Sequence, residues 1–136
     1  MEGQLVRDAM VSEPLALEAS ASAQEAGEAL APDGVRAVLV TNEGRLAGVV
    51  TRKTLVREVV ARGRDPRTTT LGEIAEQPNF TLESSMPLAE AFSLLEEQDL
   101  ERVPVVEENR LVGVLSRSGV RRRLAEDEAA PDVAAE

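Results

Sequence analysis

Leu88, Ala91, Phe92 and Leu95 recur at helical spacing, with Glu90, Glu96 and Glu97 on the opposite side and Ser84 and Ser85 ahead of them where an N-cap belongs. Earlier in the chain Ala23, Ala26, Gly27 and Leu30 mark the same kind of face, closed by Pro32, Asp33 and Gly34. Its smaller side chains predict a closer and less stable packing than the later helix has. After each helix come two apolar stretches of strand length joined by a polar turn. Residues 35–41 and 45–51 flank Asn42, Glu43 and Gly44, and residues 100–107 and 111–116 flank Glu108 and Asn109, which are hairpin signals. A short helical lead-in (residues 6–10; 71–75) and a brief extended piece (15–17; 80–82) precede each helix. A final helix follows each hairpin, over residues 52–62 with Gly63 as a stop, and over residues 117–126.

The two sets of elements are one unit written twice. Residues 5–55 slide onto 70–120 without a gap, carrying Leu17 onto Leu82, Ser20 onto Ser85, Glu25 and Ala26 onto Glu90 and Ala91, and Leu30 onto Leu95. The same register places Val38 and Val40 on Val103 and Val105, Arg45 and Leu46 on Arg110 and Leu111, Gly48 and Val49 on Gly113 and Val114, and Arg52 on Arg117. Shared composition does not produce matches in this order, so the chain reads as a duplication. Its first copy covers residues 5–63, a linker with Asp65 and Pro66 covers 64–69, the second copy covers 70–125, and an acidic tail over 126–136 is expected to be disordered. Neither copy can bury both faces of so small a sheet alone, which predicts packing of sheet against sheet.

Gly48, Val49, Val50 and Thr51 running into Arg52, and Gly113, Val114, Leu115 and Ser116 running into Arg117, resemble the signature of the CBS-domain family. Val103, Pro104, Val105 and Val106 also look like that family's Pro-Val-Val strand, with Leu39 in place of the proline in the first copy. The resemblance covers about residues 5–125. It implies an α/β fold of two tandem β-α-β-β-α motifs packed about a pseudo-twofold axis, with a cleft on either side that mixes the motifs. Carried onto this sequence, one pocket takes Leu15, Ala16, Val35, Arg36 and Ala37 with Ser116 and Arg117. The other takes Phe80, Thr81, Leu100, Glu101 and Arg102 with Thr51 and Arg52. The family commonly binds AMP, ADP, ATP or S-adenosylmethionine there. Its carboxylate for the ribose hydroxyls is missing, because Thr54 and Gly119 stand at those positions.

The hydroxyls of Thr51 and Ser116 lie where a strand enters a helix, so each is either an N-cap or, with the free helix amides, a phosphate ligand. Basic residues follow both: Arg52, Lys53, Arg57, Arg62, Arg64 and Arg67 in one copy, and Arg117, Arg121, Arg122 and Arg123 in the other. A solvated helix end accounts for Arg62 and for Arg121, Arg122 and Arg123. It does not account for Arg52 and Arg117, which sit at the positive end of a helix, where a cation needs an anionic ligand or a carboxylate to meet it.

Composition narrows the classes. The net charge of −10 opposes general nucleic-acid binding. With neither Cys nor His there is no disulfide, no structural zinc site, and no nucleophile–base pair of the usual kinds, so no catalysis is expected. No stretch approaches the about 18 apolar residues of a membrane span, and nothing in the first ten residues resembles a signal peptide, so a cytoplasmic protein without membrane contact is expected. Together with the resemblance, these readings give a regulatory module without a cofactor that senses an adenosine compound and passes a conformational change to a partner protein. The alternative is an adaptor whose clefts bind nothing. A homodimer is expected, with Leu55, Val59 and Val60 and with Phe92 and Leu95 as contact faces.

Overall fold

Two consecutive residues with positive φ, Glu43 (54°) with Gly44 (84°) and Glu108 (52°) with Asn109 (67°), close two tight hairpins around which the computed structural model is built. It describes residues 3–12 and 14–135, with side chains to residue 126. In order, the elements are α1 (Val6–Ala9), β1 (Ala16–Glu18), α2 (Ala23–Leu30), β2 (Ala37–Asn42), β3 (Arg45–Thr51), α3 (Arg52–Leu55) continuing as a π-helix (Val56–Val60), α4 (Leu71–Ile74), β4 (Leu82–Glu83), α5 (Leu88–Glu97), β5 (Arg102–Glu107), β6 (Arg110–Ser116) and α6 (Arg117–Ala135). Both expected copies are present as β-α-β-β-α motifs. In the first, β1 runs parallel to β2 and β2 antiparallel to β3, which makes the sheet mixed. In the second, β4 runs parallel to β5, and β5 lies next to β6.

The chain forms two compact units, and they do not follow the boundaries of the repeats. The first-repeat unit comprises Leu15–Asn79 with Asn109–Leu111; the second-repeat unit comprises the stretch ending at Pro14, Phe80–Glu108, and the chain from Val112 onward. Each unit therefore contains the lead-in of the other copy. In the first-repeat unit Leu71 and Ile74 of α4 join Ala23, Ala26, Leu30, Val38, Val40, Val50 and Val59 in one core. In the second-repeat unit Val6 of α1 joins Leu82, Leu88, Ala91, Leu95, Val103, Val105, Leu115 and Val120.

The signature glycines make this docking possible. Glu76 exchanges both backbone hydrogen bonds with Val49 (2.8 and 2.9 Å), and a Cβ on Gly48 would stand 2.7 Å from the Cβ of Ala75. Val11 does the same with Val114 (2.8 and 3.0 Å), and a Cβ on Gly113 would stand 2.7 Å from the Val11 carbonyl oxygen. Only a residue without a side chain lets the lead-in cross the strand this closely.

Four expectations at the level of elements change. The N-cap of α5 is Pro87 rather than Ser84 or Ser85, and the amide of Leu88 donates to the Gln4 carbonyl of the lead-in at 2.9 Å. In the first-repeat unit Ser22 caps α2 by accepting from the Glu25 amide. The last helix of the first copy turns into a π-helix after Leu55, with Ala61 donating to the Val56 carbonyl at 2.8 Å. The wider turn falls where the β-branched side chains of Val56, Val59 and Val60 would crowd at helical spacing. Gly27 does not tighten the packing of α2, since a Cβ there would meet only Leu55 Cδ1, at 3.9 Å, and space is left open. Finally, α6 continues past residue 126, where the tail was expected to begin, to Ala135. Among the described residues no helix is long and apolar enough to cross a membrane.

Candidate ligand-binding site

In the expected scheme each pocket takes residues from both copies. Within the second-repeat unit the structure places Phe80 and Thr81 just before β4, Leu100 and Glu101 just before β5 with Arg102 as its first residue, and Ser116 and Arg117 at the junction of β6 with α6. Pairing of β4 with β5 begins only at Leu82 opposite Val105, one residue beyond Pro104. At the matching point of the first-repeat unit the Leu39 amide donates to the Leu15 carbonyl at 3.1 Å. Pro104 has no N–H to donate, so the Phe80 carbonyl receives no bond of that kind.

The start of α6 is fastened to the start of β5. The Arg117 amide donates to the Glu101 carbonyl at 2.7 Å, the Ser118 hydroxyl donates to Glu101 Oε2 at 2.8 Å, and the Gly119 amide donates to Ser116 Oγ at 3.0 Å. The guanidinium of Arg117 donates to Asp99 Oδ1 at 3.1 Å and lies within 3.9 Å of Glu101 Oε1. The hydrogen bond from the Ser118 hydroxyl holds the Glu101 carboxyl below the ordinary glutamate value of 4.5; the Ser118 amide and the charges of Arg117 and Arg102 act in the same direction against the opposing effect of burial.

Leu15, Ala16, Val35, Arg36, Ala37, Thr51 and Arg52 gather in the first-repeat unit. Ala16 lies opposite Leu39 and Ala37 opposite Thr51, while Leu15 is 46% exposed. The Thr51 hydroxyl accepts from the Thr54 amide at 3.3 Å, and the Thr51 amide donates to Thr54 Oγ1 at 3.0 Å, so here the hydroxyl is an N-cap. The guanidinium of Arg52 donates to the Pro32 carbonyl at 2.8 Å and also to that of Leu30. Both repeated arginines thus meet protein acceptors: carbonyls at and just beyond the end of α2 for Arg52, carboxylates for Arg117.

Three partners, Glu76, Asp99 and Ser118, carry no signal in the sequence. Thr54, at the position of the absent carboxylate, is fully buried and donates to Glu76 Oε2 at 3.0 Å. Glu76 also takes the guanidinium of Arg57. It stands far from Thr54 in the chain and reaches it only because α4 docks on the first-repeat unit. Asp99 and Ser118 are likewise set by tertiary contact. Among the described residues no group of acidic side chains is gathered as a metal ion would require.

The family model described as "CBS domain" matches residues 6–61 and 71–126. The chain belongs to the CBS-domain family. Hypoxic response protein 1 of Mycobacterium tuberculosis is 34% identical over 85 residues, which cover 62% of this CBS chain and 59% of that relative. The chain thus spans about three-fifths of the length of that relative. The CBS domain-containing protein YhcV of Bacillus subtilis is 27% identical over 111 residues, covering 82% of this chain and 79% of YhcV. Among solved structures, Hypoxic Response Protein I with two coordinated zinc ions superposes with a TM-score of 0.74 at 26% identity, covering 88% of this chain and 98% of the other. CBSX2 in complex with AMP gives 0.74 at 24% identity, covering 93% and 99%. The CBS domain pair of protein MJ0100, in complex with 5-methylthioadenosine and S-adenosyl-L-methionine, gives 0.67 at 21% identity, covering 91% and 98%. The last two likenesses establish the shared fold.

Proposed function

We propose that this CBS pair is a non-catalytic regulatory module that binds an adenosine compound, AMP, ADP, ATP or S-adenosylmethionine, and passes the resulting change in shape to a partner protein. The observation that carries this reading is the carbonyl of Phe80, left without a ladder donor by Pro104 in a pocket the family resemblance assigns to the ligand. An exocyclic amino group is a donor suited to it, and Leu100 supplies an aliphatic surface beside it. The adenosine ligands held by CBSX2 and by MJ0100 support the same class of ligand. The zinc ions of Hypoxic Response Protein I are not carried over, because this chain has neither Cys nor His.

Binding to the native state alone raises its melting temperature, so titration with each of the four compounds is expected to give a saturable upward shift. Pro104→Ala restores an N–H that can close the Phe80 carbonyl, as Leu39 closes that of Leu15, and is expected to abolish the shift while the variant stays folded. No shift at millimolar ligand in the native chain would sink the sensing role. The second reading, an adaptor with unoccupied clefts, is favoured by the burial of Thr54 and by the engagement of the Arg52 and Arg117 guanidiniums with protein acceptors.

A further inference from the structure

In the first-repeat unit an acid is built in beside the signature. Glu76 takes the Thr54 hydroxyl on Oε2 at 3.0 Å and the guanidinium of Arg57 on Oε1. The Thr54 hydroxyl has a single proton and gives it to that carboxylate, so Thr51 is the donor in the 3.1 Å contact between the two hydroxyls. The protons of Thr51 and Thr54 and the charge of Arg57 are therefore all engaged inside the protein.

The second copy keeps the arginine and loses the acid. Arg122 takes the place of Arg57, Gly119 that of Thr54, and Val11 that of Glu76, since Val11 exchanges backbone hydrogen bonds with Val114 as Glu76 does with Val49. Arg122 forms no ion pair or hydrogen bond among the described residues, and its Nη2 lies 3.9 Å from where a Cβ on Gly119 would stand. Ser116 Oγ is 2.6 Å from the same point; it accepts from the Gly119 amide at 3.0 Å and has no acceptor for its own proton among the described residues. A cation and a hydroxyl donor thus flank the place of the missing side chain, and neither has a carboxylate partner. Arg117 differs, being matched already by Asp99 and Glu101.

We infer that Ser116, Gly119 and Arg122 form a subsite for a phosphate carried on the ribose of the bound adenosine compound, at its 2′ or 3′ oxygen. The first-repeat unit shows what the arrangement holds, a carboxylate on Arg57 supplied by the chain itself. With Val11 in place of Glu76 the anion has to come from the ligand. Gly119 stands where the family resemblance puts a carboxylate that accepts from ribose hydroxyls. That acid would repel a ribose phosphate, whereas a guanidinium beside an open position receives one, the same exchange of acid for arginine that admits a ribose phosphate in dinucleotide sites. The absent side chain leaves room for the phosphate to approach, and the Ser116 hydroxyl adds a donor. This specificity rests on the proposed binding of an adenosine compound and narrows that class to its ribose-phosphorylated members.

The test is isothermal titration calorimetry of the native chain with adenosine 5′-phosphate, adenosine 2′,5′-bisphosphate and adenosine 3′,5′-bisphosphate, which differ only in the ribose phosphate. One of the bisphosphates is expected to bind at least about tenfold more tightly than the monophosphate, the gain from one charge-assisted pair. Arg122→Gln is expected to remove that preference. Val11→Glu, which sets an acid at a 62% exposed position matching Glu76, is expected to remove it as well. Arg121→Gln breaks the neighbouring ion pair with Glu96 and is expected to keep the preference. Equal affinities of the native chain for the three compounds overturn the ribose-phosphate subsite and leave the sensing role standing, whereas absence of binding by all three sinks both. A preference that survives Arg122→Gln overturns the assignment to Arg122, and one that survives Val11→Glu overturns the equivalence with Glu76.

Discussion

A cation in the first turn of a helix opposes the helix dipole, and at Arg52 and Arg117 the chain meets that cost in two different ways. Arg52 turns back to the carbonyls of Leu30 and Pro32, acceptors left open where α2 ends, and so ties two elements together. Arg52→Ala is expected to lower stability by about 1–2 kcal/mol, read as a fall of several degrees in melting temperature, because those carbonyls lose a charged donor. Arg117 instead meets Asp99 and Glu101, and Glu101 is further held by Ser118. The folded-state pKa of Glu101 lies below its unfolded value, so its contribution to stability is present above the ordinary glutamate value of 4.5 and is lost as pH falls through the lower folded value. A carbon-detected NMR titration is expected to place the Glu101 midpoint below that of a free glutamate, and Ser118→Ala to raise it towards the ordinary value. An unchanged midpoint in the variant would remove the Ser118 hydroxyl as the main cause.

At the scale of elements, the lead-ins decide what the signature positions can do. Because α4 crosses β3 at Gly48, Glu76 arrives beside Thr54, and the site of the family's carboxylate becomes a buried hydroxyl bonded to another acid. Restoring the family residue is therefore expected to harm the fold. Thr54→Asp places a carboxylate in a buried position next to Glu76 and is expected to cost about 2 kcal/mol at neutral pH. The loss is expected to shrink in Thr54→Asp with Glu76→Gln, and chemical denaturation of the four chains of this cycle measures the coupling. Independent effects of the two substitutions would show that the carboxylates do not share the site. In the second-repeat unit Val11 occupies the place of Glu76 and Gly119 that of Thr54, so no such pair arises there.

At the scale of the whole molecule, the compact units and the duplicated segments are cut at different places. A chain cut to the first repeat as written, residues 5–63, lacks Leu71 and Ile74, which are 0% and 3% exposed in that unit's core. It is expected to show little cooperative unfolding by circular dichroism. Residues 15–79, which keep α4 and omit a lead-in belonging to the other unit, are expected to fold more stably. Equal behaviour of the two pieces would mean that α4 adds nothing to the first-repeat core. The repeats also differ along their longer helices: Phe92 packs against the second-repeat core, whereas a Cβ at the matching Gly27 would meet only Leu55 Cδ1, at 3.9 Å.

The sequence by itself determined the duplication, the order of the elements and the hairpins, because periodicity and turn chemistry are local and each was written twice. Most of the core was legible for the same reason. The lead-ins were legible as short helices but not as to where they dock, since a four-residue amphipathic helix fits either core and only the close approach at Gly48 and Gly113 selects one. The partners of Arg52, Arg117 and Thr54 followed from that choice, for they come from residues distant in the chain with no spacing to betray them. The tertiary structure alone decided which hydroxyls cap helices and which carboxylates sit beside them. Those depend on three-dimensional proximity, and a pattern read along one dimension does not carry it.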